Sequence, residues 1–250
     1  MLNNNEIEIS VIMPCFRGEE YIERSIRETE DELSKLCFNS EIIIVLDGIV
    51  DKTIEIASRL TEEYRNIRVL AYENNKGKGY AIRYGLKNAK GQYVLMLDSD
   101  LDYNPICIKE FLMIGKETGA DIVCGNRRDP RSIFVYPFFR KLSSYIFNSY
   151  VNFLFTNLNI PDTQAGAKLF KSEIIKRKLL PEIERYIESD GFIFDVCLFV
   201  LARRCQLEIV SAPCIYMMHS STIGISRNFF VTSYKMWKEV LTFKLAVGRS

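Results

Sequence analysis

The feature of this sequence that most constrains its fold is a run of consecutive β-branched residues, Ile42-Ile43-Ile44-Val45, within the segment from Glu41 to Leu46. A strand that is apolar on both sides must be covered on both faces, as the strands of parallel sheets are. Segments 9–13, 67–72, 92–97 and 121–124 are also strand-like, and those between have apolar residues at helical spacing. This alternation predicts an α/β fold with a mostly parallel sheet flanked by helices. Ligands of such sheets bind at the carboxyl ends of the strands.

Length, charge and cysteine content narrow the class of protein further. A chain of 250 residues suits one large domain, which we predict to span residues 1–250. The net charge of +1 provides no drive towards nucleic acid, so we expect no nucleic-acid partner. The seven cysteines form no C-x-x-C pair, which favours a reducing compartment and argues against a zinc site. We find no signal-peptide pattern and no apolar run near the ~20 residues of a membrane span, and expect a cytoplasmic or peripheral protein.

The second half of the chain is less regular than the first. We predict a buried helix from Phe192 to Arg204, one strand from Leu207 to Tyr216 and an amphipathic helix from Phe229 to Val247. The stretch 131–155 combines basic residues with many aromatic ones. This stretch and the terminal helix fit an interfacial membrane surface, and they fit ordinary core packing equally well.

Two carboxylates, Asp98 and Asp100, follow the predicted strand that ends at Leu97. Residues i and i+2 of an extended segment point to the same side, so both carboxylates can face one ion. Mg²⁺ and Mn²⁺ prefer carboxylate oxygens and share their coordination shell with phosphate and water. The pattern indicates a divalent cation that carries a diphosphate, and the alternative is an acidic surface turn. Pro14 and Asp47 also follow predicted strands, so all four residues should meet at one crevice.

Several further blocks make the chain resemble the family 2 glycosyltransferases, which have the GT-A fold. The similar segments are Ser10–Phe16, Val45–Thr53, Asn75–Ala81, Asp98–Asp100, Gly125–Arg127, Asp162–Phe170 and Phe194–Val196. Within the family the chain is most similar to the polyprenyl- and dolichyl-phosphate glucosyl- and mannosyltransferases, mainly through the block from Asp162 to Phe170. The resemblance implies metal-dependent, inverting transfer of a hexose from a UDP- or GDP-sugar to a polyprenyl or dolichyl phosphate, with Mg²⁺ or Mn²⁺ as cofactor. It also implies that residues 1–125 bind the nucleotide sugar and residues 126–250 the acceptor, at the cytoplasmic face of a membrane.

The resemblance assigns the donor to the strand ends of the first half. The residues it implies for nucleotide-sugar binding are Pro14, Glu19, Asp47, Lys78, Asp98, Ser99 and Arg127. Asp47 would accept a hydrogen bond from the base, and Asp100 would contact the metal. Leu46 and Ile49 depart from the family pattern beside Asp47, so the identity of the base stays open. Asp47 could instead cap a turn, and Glu19 could instead complement a helix dipole.

The acceptor side depends on Asp195, which matches the family's acceptor-side acid. A hydroxyl acceptor would need Asp195 as a general base, whereas a phosphate acceptor is already ionised and would need it for positioning. A helix N-cap is the alternative for Asp195. Arg128, Gln164 and Lys168 are the candidates for the acceptor pocket. His219, the only histidine, would be either a third metal ligand beside Asp98 and Asp100 or a structural residue.

Three other functions are alternatives to this one. A glycosyltransferase with a soluble saccharide or a glycan chain as acceptor would share every donor-side block. A nucleotidyltransferase would need a glycine-rich triphosphate loop after the first strand, and residues 14–18 provide none. A non-catalytic nucleotide-sugar-binding protein is the third, because Leu46 and Ile49 interrupt the second block.

Overall fold

The computed structural model describes residues 6–135, 138–156, 158–187, 191, 193–217 and 229–248, with side chains described outside 138–140 and 229–233. In chain order its elements are β1 (Ile9–Cys15), α1 (Ile22–Ser34), β2 (Ser40–Asp47), α2 (Thr53–Glu63), β3 (Ile67–Tyr72), α3 (Lys78–Asn88), β4 (Tyr93–Met96), α4 (Cys107–Thr118), β5 (Ile122–Gly125), β6 (Ile133–Val135), α5 (Phe138–Leu154), β7 (Lys168–Lys171), α6 (Ser172–Ile174), a π-helical turn (Ile175–Leu179), α7 (Leu180–Tyr186), α8 (Phe194–Arg204), β8 (Ile209–Ala212), β9 (Ile215–Met217) and α9 (Phe229–Val247).

The main sheet has seven strands in the order β3-β2-β1-β4-β7-β5-β8. The four strands β1 to β4 are mutually parallel, and β8 is parallel to β5. Only β7 is antiparallel to its neighbours, between β4 and β5. Since β7 and β8 come from the second half of the chain, both halves contribute to one sheet. This confirms the predicted α/β fold and single domain.

The apolar run of β2 is explained by two hydrophobic clusters, one on each face of the sheet. Ile43 and Val45 belong to the cluster that α3, α5, α8 and α9 cover, whereas Ile42 and Ile44 belong to the cluster under α1, α2 and α4. All four side chains are fully buried. Successive residues of a strand point to opposite faces, so a strand covered on both sides needs apolar residues at every position.

The prediction of one strand from Leu207 to Tyr216 was wrong. The segment is divided at Pro213 into β8, which pairs with β5, and β9, which pairs with β6 in a separate two-stranded sheet. Proline has no N–H to donate to a ladder, so the backbone leaves the first sheet at this residue. The next residue, Cys214, donates its N–H to the Ser132 hydroxyl at 2.9 Å, and its carbonyl accepts from the Ile133 N–H at 3.1 Å.

The helices α5 and α9 pack against each other through aromatic side chains. Tyr150 stacks on Trp237 with ring centroids 4.2 Å apart, and Phe155 contacts Phe243 at 6.2 Å. Part of the aromatic stretch is therefore core. Among the helices that the structure describes, none combines the length and the apolar character needed to cross a membrane.

Candidate active site

A crevice of about 310 Å³ lies at the carboxyl ends of β1, β2 and β4, where the sequence predicted it. Six of the predicted site residues line it, namely Pro14, Asp47, Lys78, Asp98, Ser99 and Asp100. The sequence prediction did not include the other lining residues, which are Cys15, Phe16, Tyr21, Asn75 and Gly77. The signal that could have found them is their position, because each lies in or beside a loop that follows a parallel strand.

The loop after β4 holds the acidic pair in a tight turn. The Ser99 hydroxyl donates to the Pro14 carbonyl at 2.8 Å, which ties this loop to the end of β1. Leu101 has a left-handed backbone (φ +63°), and the Asp102 N–H donates to Asp100 Oδ1 at 3.0 Å. Asp102 accepts a hydrogen bond from the Tyr216 hydroxyl at 2.8 Å and does not line the crevice.

Asp100 lies beside two other carboxylates. Burial, together with the charges of Asp98 and Asp102, raises the pKa of Asp100 to about 7. The hydrogen bond from the Asp102 N–H and the charge of Lys78 only partly oppose this effect. Negative charge is therefore in excess at this point, which is the electrostatic condition that favours a bound cation.

Lys78, the first residue of α3, lies between Asp98 and Asp195. Its ammonium lies 2.7 Å from Asp98 Oδ1 and 4.0 Å from Asp195 Oδ2. Burial lowers its pKa, but the Asp98 and Asp195 charges outweigh burial and raise the pKa above its ordinary value. Gly77 before it has φ +95°, a conformation that glycine adopts without strain. Lys78 is thus a fixed cation in an acidic crevice.

Asp47 anchors the loop between β3 and α3. Its carboxylate accepts from the Tyr72 hydroxyl at 2.9 Å, from Asn75 Nδ2 at 2.9 Å, from the Lys76 N–H at 2.7 Å and from the Gly77 N–H at 3.0 Å. Four donor groups therefore already use its oxygens. The role predicted for Asp47 as the acceptor for a base stays a prediction, and in the structure its carboxylate holds the loop between β3 and α3.

Gly166 explains why the block 162–170 approaches the acidic pair so closely. A Cβ atom at this position would lie 2.1 Å from Asp98 Oδ2, far inside any allowed contact. The neighbouring Ala165 and Ala167 are fully buried in the core, so they do not line an open acceptor pocket. Residues 162–170 thus pack directly against the acidic pair, Asp98 and Asp100, which is the candidate metal site.

Arg127 and Arg128 contact protein groups in this structure. Arg127 makes a bidentate pair with Asp162, with Nε at 2.6 Å from Oδ2 and Nη2 at 2.8 Å from Oδ1. Burial raises the pKa of Asp162, but the two guanidinium charges outweigh burial and hold that pKa below its ordinary value. Arg128 donates to the carbonyls of Pro161 and Ser144. Neither arginine lines the crevice, so the structure does not bring these two predicted ligands to it.

Lys168 was predicted to line an acceptor pocket, yet its side chain is fully buried. Its ammonium lies 2.8 Å from Asp195 Oδ1 and also donates to the Ala165 carbonyl. Asp195 is in the first turn of α8 and makes no side-chain cap there, so its partners are lysines and not the helix end. Gln164 is half-buried and donates its N–H to Asp162 Oδ1 at 3.4 Å.

Glu19, predicted to bind the nucleotide sugar, does not line the crevice. Glu19 is exposed, and its Oε2 accepts from the Lys52 N–H at 3.2 Å. His219 lies outside the described residues. Within the described residues no group of three or more His, Cys, Asp or Glu side chains is arranged to hold a metal ion.

A mostly parallel sheet with an acidic pair at the end of a central strand is the arrangement of GT-A transferases, and comparison with known proteins agrees. The family model described as "Glycosyl transferase family 2" matches residues 10–179, which is more than half of the chain. The chain belongs to this family and is a glycosyltransferase, as its sequence motifs predicted.

Relatives and solved structures extend this result. A dolichyl-phosphate beta-glucosyltransferase of Dictyostelium discoideum is 29% identical over 97% of this chain and 76% of its own length. One from Trichomonas vaginalis is 31% identical over 83% of this chain, which spans slightly less than two thirds (65%) of that relative. Glucosyl-3-phosphoglycerate synthase from Mycobacterium tuberculosis, solved with Mn²⁺, UDP-glucose and phosphoglyceric acid, superposes with a TM-score of 0.70 at 17% identity, covering 95% of this chain and 80% of that one. The structural likeness confirms the GT-A fold.

Proposed function

We propose that this chain is a metal-dependent, inverting glycosyltransferase that moves a hexose from a nucleotide sugar to a polyprenyl or dolichyl phosphate. The observation that carries the proposal is the crevice in which Asp98 and Asp100 meet Lys78, with Asp195 directly behind it. The names of the relatives, dolichyl-phosphate beta-glucosyltransferases, support glucose as the sugar and the lipid phosphate as the acceptor. The UDP-glucose complex of the mycobacterial neighbour supports UDP as the nucleotide.

The residues of the crevice fit a divalent cation such as Mg²⁺ or Mn²⁺. Asp98 and Asp100 offer carboxylate oxygens, and the remaining ligands would come from the donor diphosphate and water, as is usual for Mg²⁺ with phosphates. Burial, and after it the charges of Asp98 and Asp102, raise the pKa of Asp100, so a bound cation would favour its ionised form. When bound, a cation there neutralises charge on the leaving diphosphate.

The side chains of the crevice have distinct tasks in this reaction. Lys78 exchanges its contact with Asp98 for a donor phosphate oxygen, and its charge then stabilises the departing nucleoside diphosphate. An oxygen of the acceptor phosphate forms a bond to the anomeric carbon as the bond from that carbon to the diphosphate oxygen breaks. One such displacement inverts the configuration, so an α-linked donor gives a β-linked product. No proton has to be removed, because the acceptor phosphate arrives ionised.

The surroundings of Asp195 favour an ionised phosphate as the acceptor over a hydroxyl group, which would need a general base. Burial raises the pKa of Asp195, but Lys168 and Lys78 outweigh it and hold the pKa below its ordinary value. A general base works best with a pKa near the working pH. A carboxylate held so far from that range is a weak base and a good fixed charge.

The proposal is tested by a donor and acceptor screen with Mn²⁺ present and then chelated. We expect release of UDP from UDP-glucose that requires the metal and rises at least about tenfold when a short polyprenyl phosphate is added. If UDP release does not change with the lipid phosphate but rises with a soluble saccharide or phosphoglycerate, the acceptor is a soluble molecule and not a lipid. No release and no binding of any UDP- or GDP-sugar would leave a non-catalytic protein and contradict the proposal.

We further propose that one surface of the protein lies on a membrane, where the lipid acceptor would be found. On α5 the side chains of Leu142, Tyr145, Ile146 and Phe153 share one face, and Phe153 is 78% exposed. We call these four residues the α5 surface. The Arg128 guanidinium lies 4.6 Å from the centre of the Tyr145 ring, so basic charge adjoins the apolar face. Exposed apolar side chains beside basic groups are typical of interfacial helices.

Vesicle binding tests the membrane surface. We expect I146S/F153S to lower the fraction of protein bound to anionic phospholipid vesicles, with a bound-to-free ratio at least about a hundredfold below that of the wild type, since each buried apolar side chain contributes about 1.5–3 kcal/mol. Met113→Ser is the matched control, because Met113 is 48% exposed on α4, across the sheet from α5. Equal binding of I146S/F153S and the control would contradict the proposal.

A further inference from the structure

Lys168 is an unusual residue for the middle of a sheet. It lies on β7 opposite Met96 of β4 and Cys124 of β5, and no part of it is exposed to solvent. Burying an ammonium group costs several kcal/mol unless a partner compensates. Its partners are Asp195 Oδ1 at 2.8 Å, the Ala165 carbonyl and the face of Phe199, whose centroid is 5.3 Å away.

The ion pair between Lys168 and Asp195 is connected to a second lysine, Lys78. The second carboxylate oxygen of Asp195, Oδ2, lies 4.0 Å from the Lys78 ammonium. The same ammonium lies 2.7 Å from Asp98 Oδ1. Positive and negative groups therefore alternate from the sheet interior to the acidic crevice. Lys168 is the only member of this row of four that is closed off from solvent completely, since Lys78, Asp98 and Asp195 keep some exposed side-chain surface.

Fold stability alone does not explain a buried ion pair. Replacing such a pair with apolar residues of similar size is often neutral or stabilising, so its presence in a core calls for another reason. The position of this pair behind the crevice supplies that reason. When Lys78 turns to a donor phosphate, Asp195 keeps its charge and its orientation only through Lys168.

We propose that Lys168 is a positioning residue, which holds the Asp195 carboxylate as a fixed anion behind the crevice during transfer. This role presupposes the transfer reaction proposed above. The titratable groups around Asp195 are Lys168 on β7, Lys78 on α3, Asp162 before β7 and Cys197 on its own helix. Of these only the two lysines favour the ionised form of Asp195. When Lys78 binds the donor, Lys168 is the one lysine that still stabilises the ionised form of Asp195.

The test is Lys168→Met, compared with the double variant K168M/D195N and the wild type between pH 6 and 8.5 in saturating Mn²⁺. Without Lys168 the buried carboxylate of Asp195 becomes harder to ionise. We expect kcat at pH 6 to fall about a hundredfold or more, with part of it returning at pH 8.5, while the KM for the donor changes less than about threefold. Thermal stability should change in the opposite direction, highest at pH 6 and lowest at pH 8.5, because ionising a buried carboxylate that has lost its nearest cation destabilises the fold.

These opposite trends separate positioning from a purely structural role. The double variant should recover the wild-type pH dependence of the melting temperature without recovering kcat, and it keeps the test usable if Lys168→Met alone folds poorly. A loss of kcat that follows the melting temperature at every pH, or a wild-type pH profile in Lys168→Met, would overturn the inference. The melting curves need no turnover, so they show whether Lys168 holds the Asp195 charge even if the screen above finds no transfer.

Discussion

Asp100→Asn is expected to reduce metal-dependent transfer by about a thousandfold while raising the melting temperature of the metal-free protein at pH 8. The loss follows from removing one of two carboxylates that would hold the cation. The gain follows from the pKa of Asp100, which burial and the charges of Asp98 and Asp102 raise to about 7 in the folded state. The same change therefore separates catalysis from stability.

The effect of Asp100 on stability depends on the difference between its pKa values in the folded and unfolded states. An unfolded aspartate has a pKa near 3.9, so between about pH 4 and 7 the folded state binds more protons than the unfolded state. Stability of the metal-free wild type should fall as pH rises through this window, and the full loss is present above about pH 7. The amide introduced by Asp100→Asn carries no charge, so the variant should lack this slope. At pH 8 we expect it to melt about 2–4 °C higher for each kcal/mol relieved.

Asp102→Asn is the matched control for this result. Asp102 is two residues away, but it contacts Tyr216 and does not line the crevice. An asparagine oxygen can still accept from the tyrosine hydroxyl, so we expect this variant to keep most of its metal-dependent transfer. Equal inactivation of the two variants would make Asp102 a metal ligand. If Asp100→Asn keeps the wild-type pH dependence of the melting temperature, the Asp100 carboxylate is not the group whose raised pKa causes that dependence.

Asp162→Asn should destabilise the protein by about 3–5 kcal/mol, the largest effect that we expect on folding. The change leaves the Arg127 guanidinium charged and buried after removing its bidentate partner, whose side chain is only 1% exposed. For a chain of this length the melting temperature should fall by roughly 6–20 °C. Chemical denaturation at pH 7 measures the free energy of unfolding directly.

The pH dependence of this pair has the opposite sign to that of Asp100. Burial raises the pKa of Asp162, but Arg127 and Arg128 outweigh burial and lower it, so its contribution to stability is present above the unfolded pKa near 4. The contribution is lost as pH falls through the depressed folded pKa. We therefore expect the gap between wild type and Asp162→Asn to narrow only below about pH 4.

Arg24→Ala is the control for this second prediction. Arg24 pairs with Glu28 at 2.6 Å, a distance equal to that of the buried pair, yet its side chain is 64% exposed. Exposed pairs contribute about 0–1 kcal/mol, so Arg24→Ala should be nearly neutral. If Asp162→Asn were equally neutral, the buried pair would not hold the block 162–170 in place.

The sequence allowed the first half of the fold to be predicted because its signals are local. The five strands from β1 to β5 are apolar runs bounded by polar loops, and their helices repeat apolar residues at short spacing. Two further strands were not predicted. β6 and β7 have three and four residues, and lysines begin and end β7, so neither shows a strand pattern of its own. β7 becomes a strand because β4 and β5 offer ladder partners on both sides.

The sequence by itself determined the α/β class and the set of residues at the carboxyl edge of the sheet, including Asp98, Asp100 and Lys78. Parallel strands all end at one edge, so their order along the chain suffices. Only the tertiary structure decided which charges pair, because Arg127 and Asp162, or Lys168 and Asp195, are 35 and 27 residues apart. Pairing in a low-dielectric interior depends on distance in space, and no local pattern encodes it. That pairing places Lys168 and Arg127 in the framework and leaves Lys78 beside the acidic pair at the crevice.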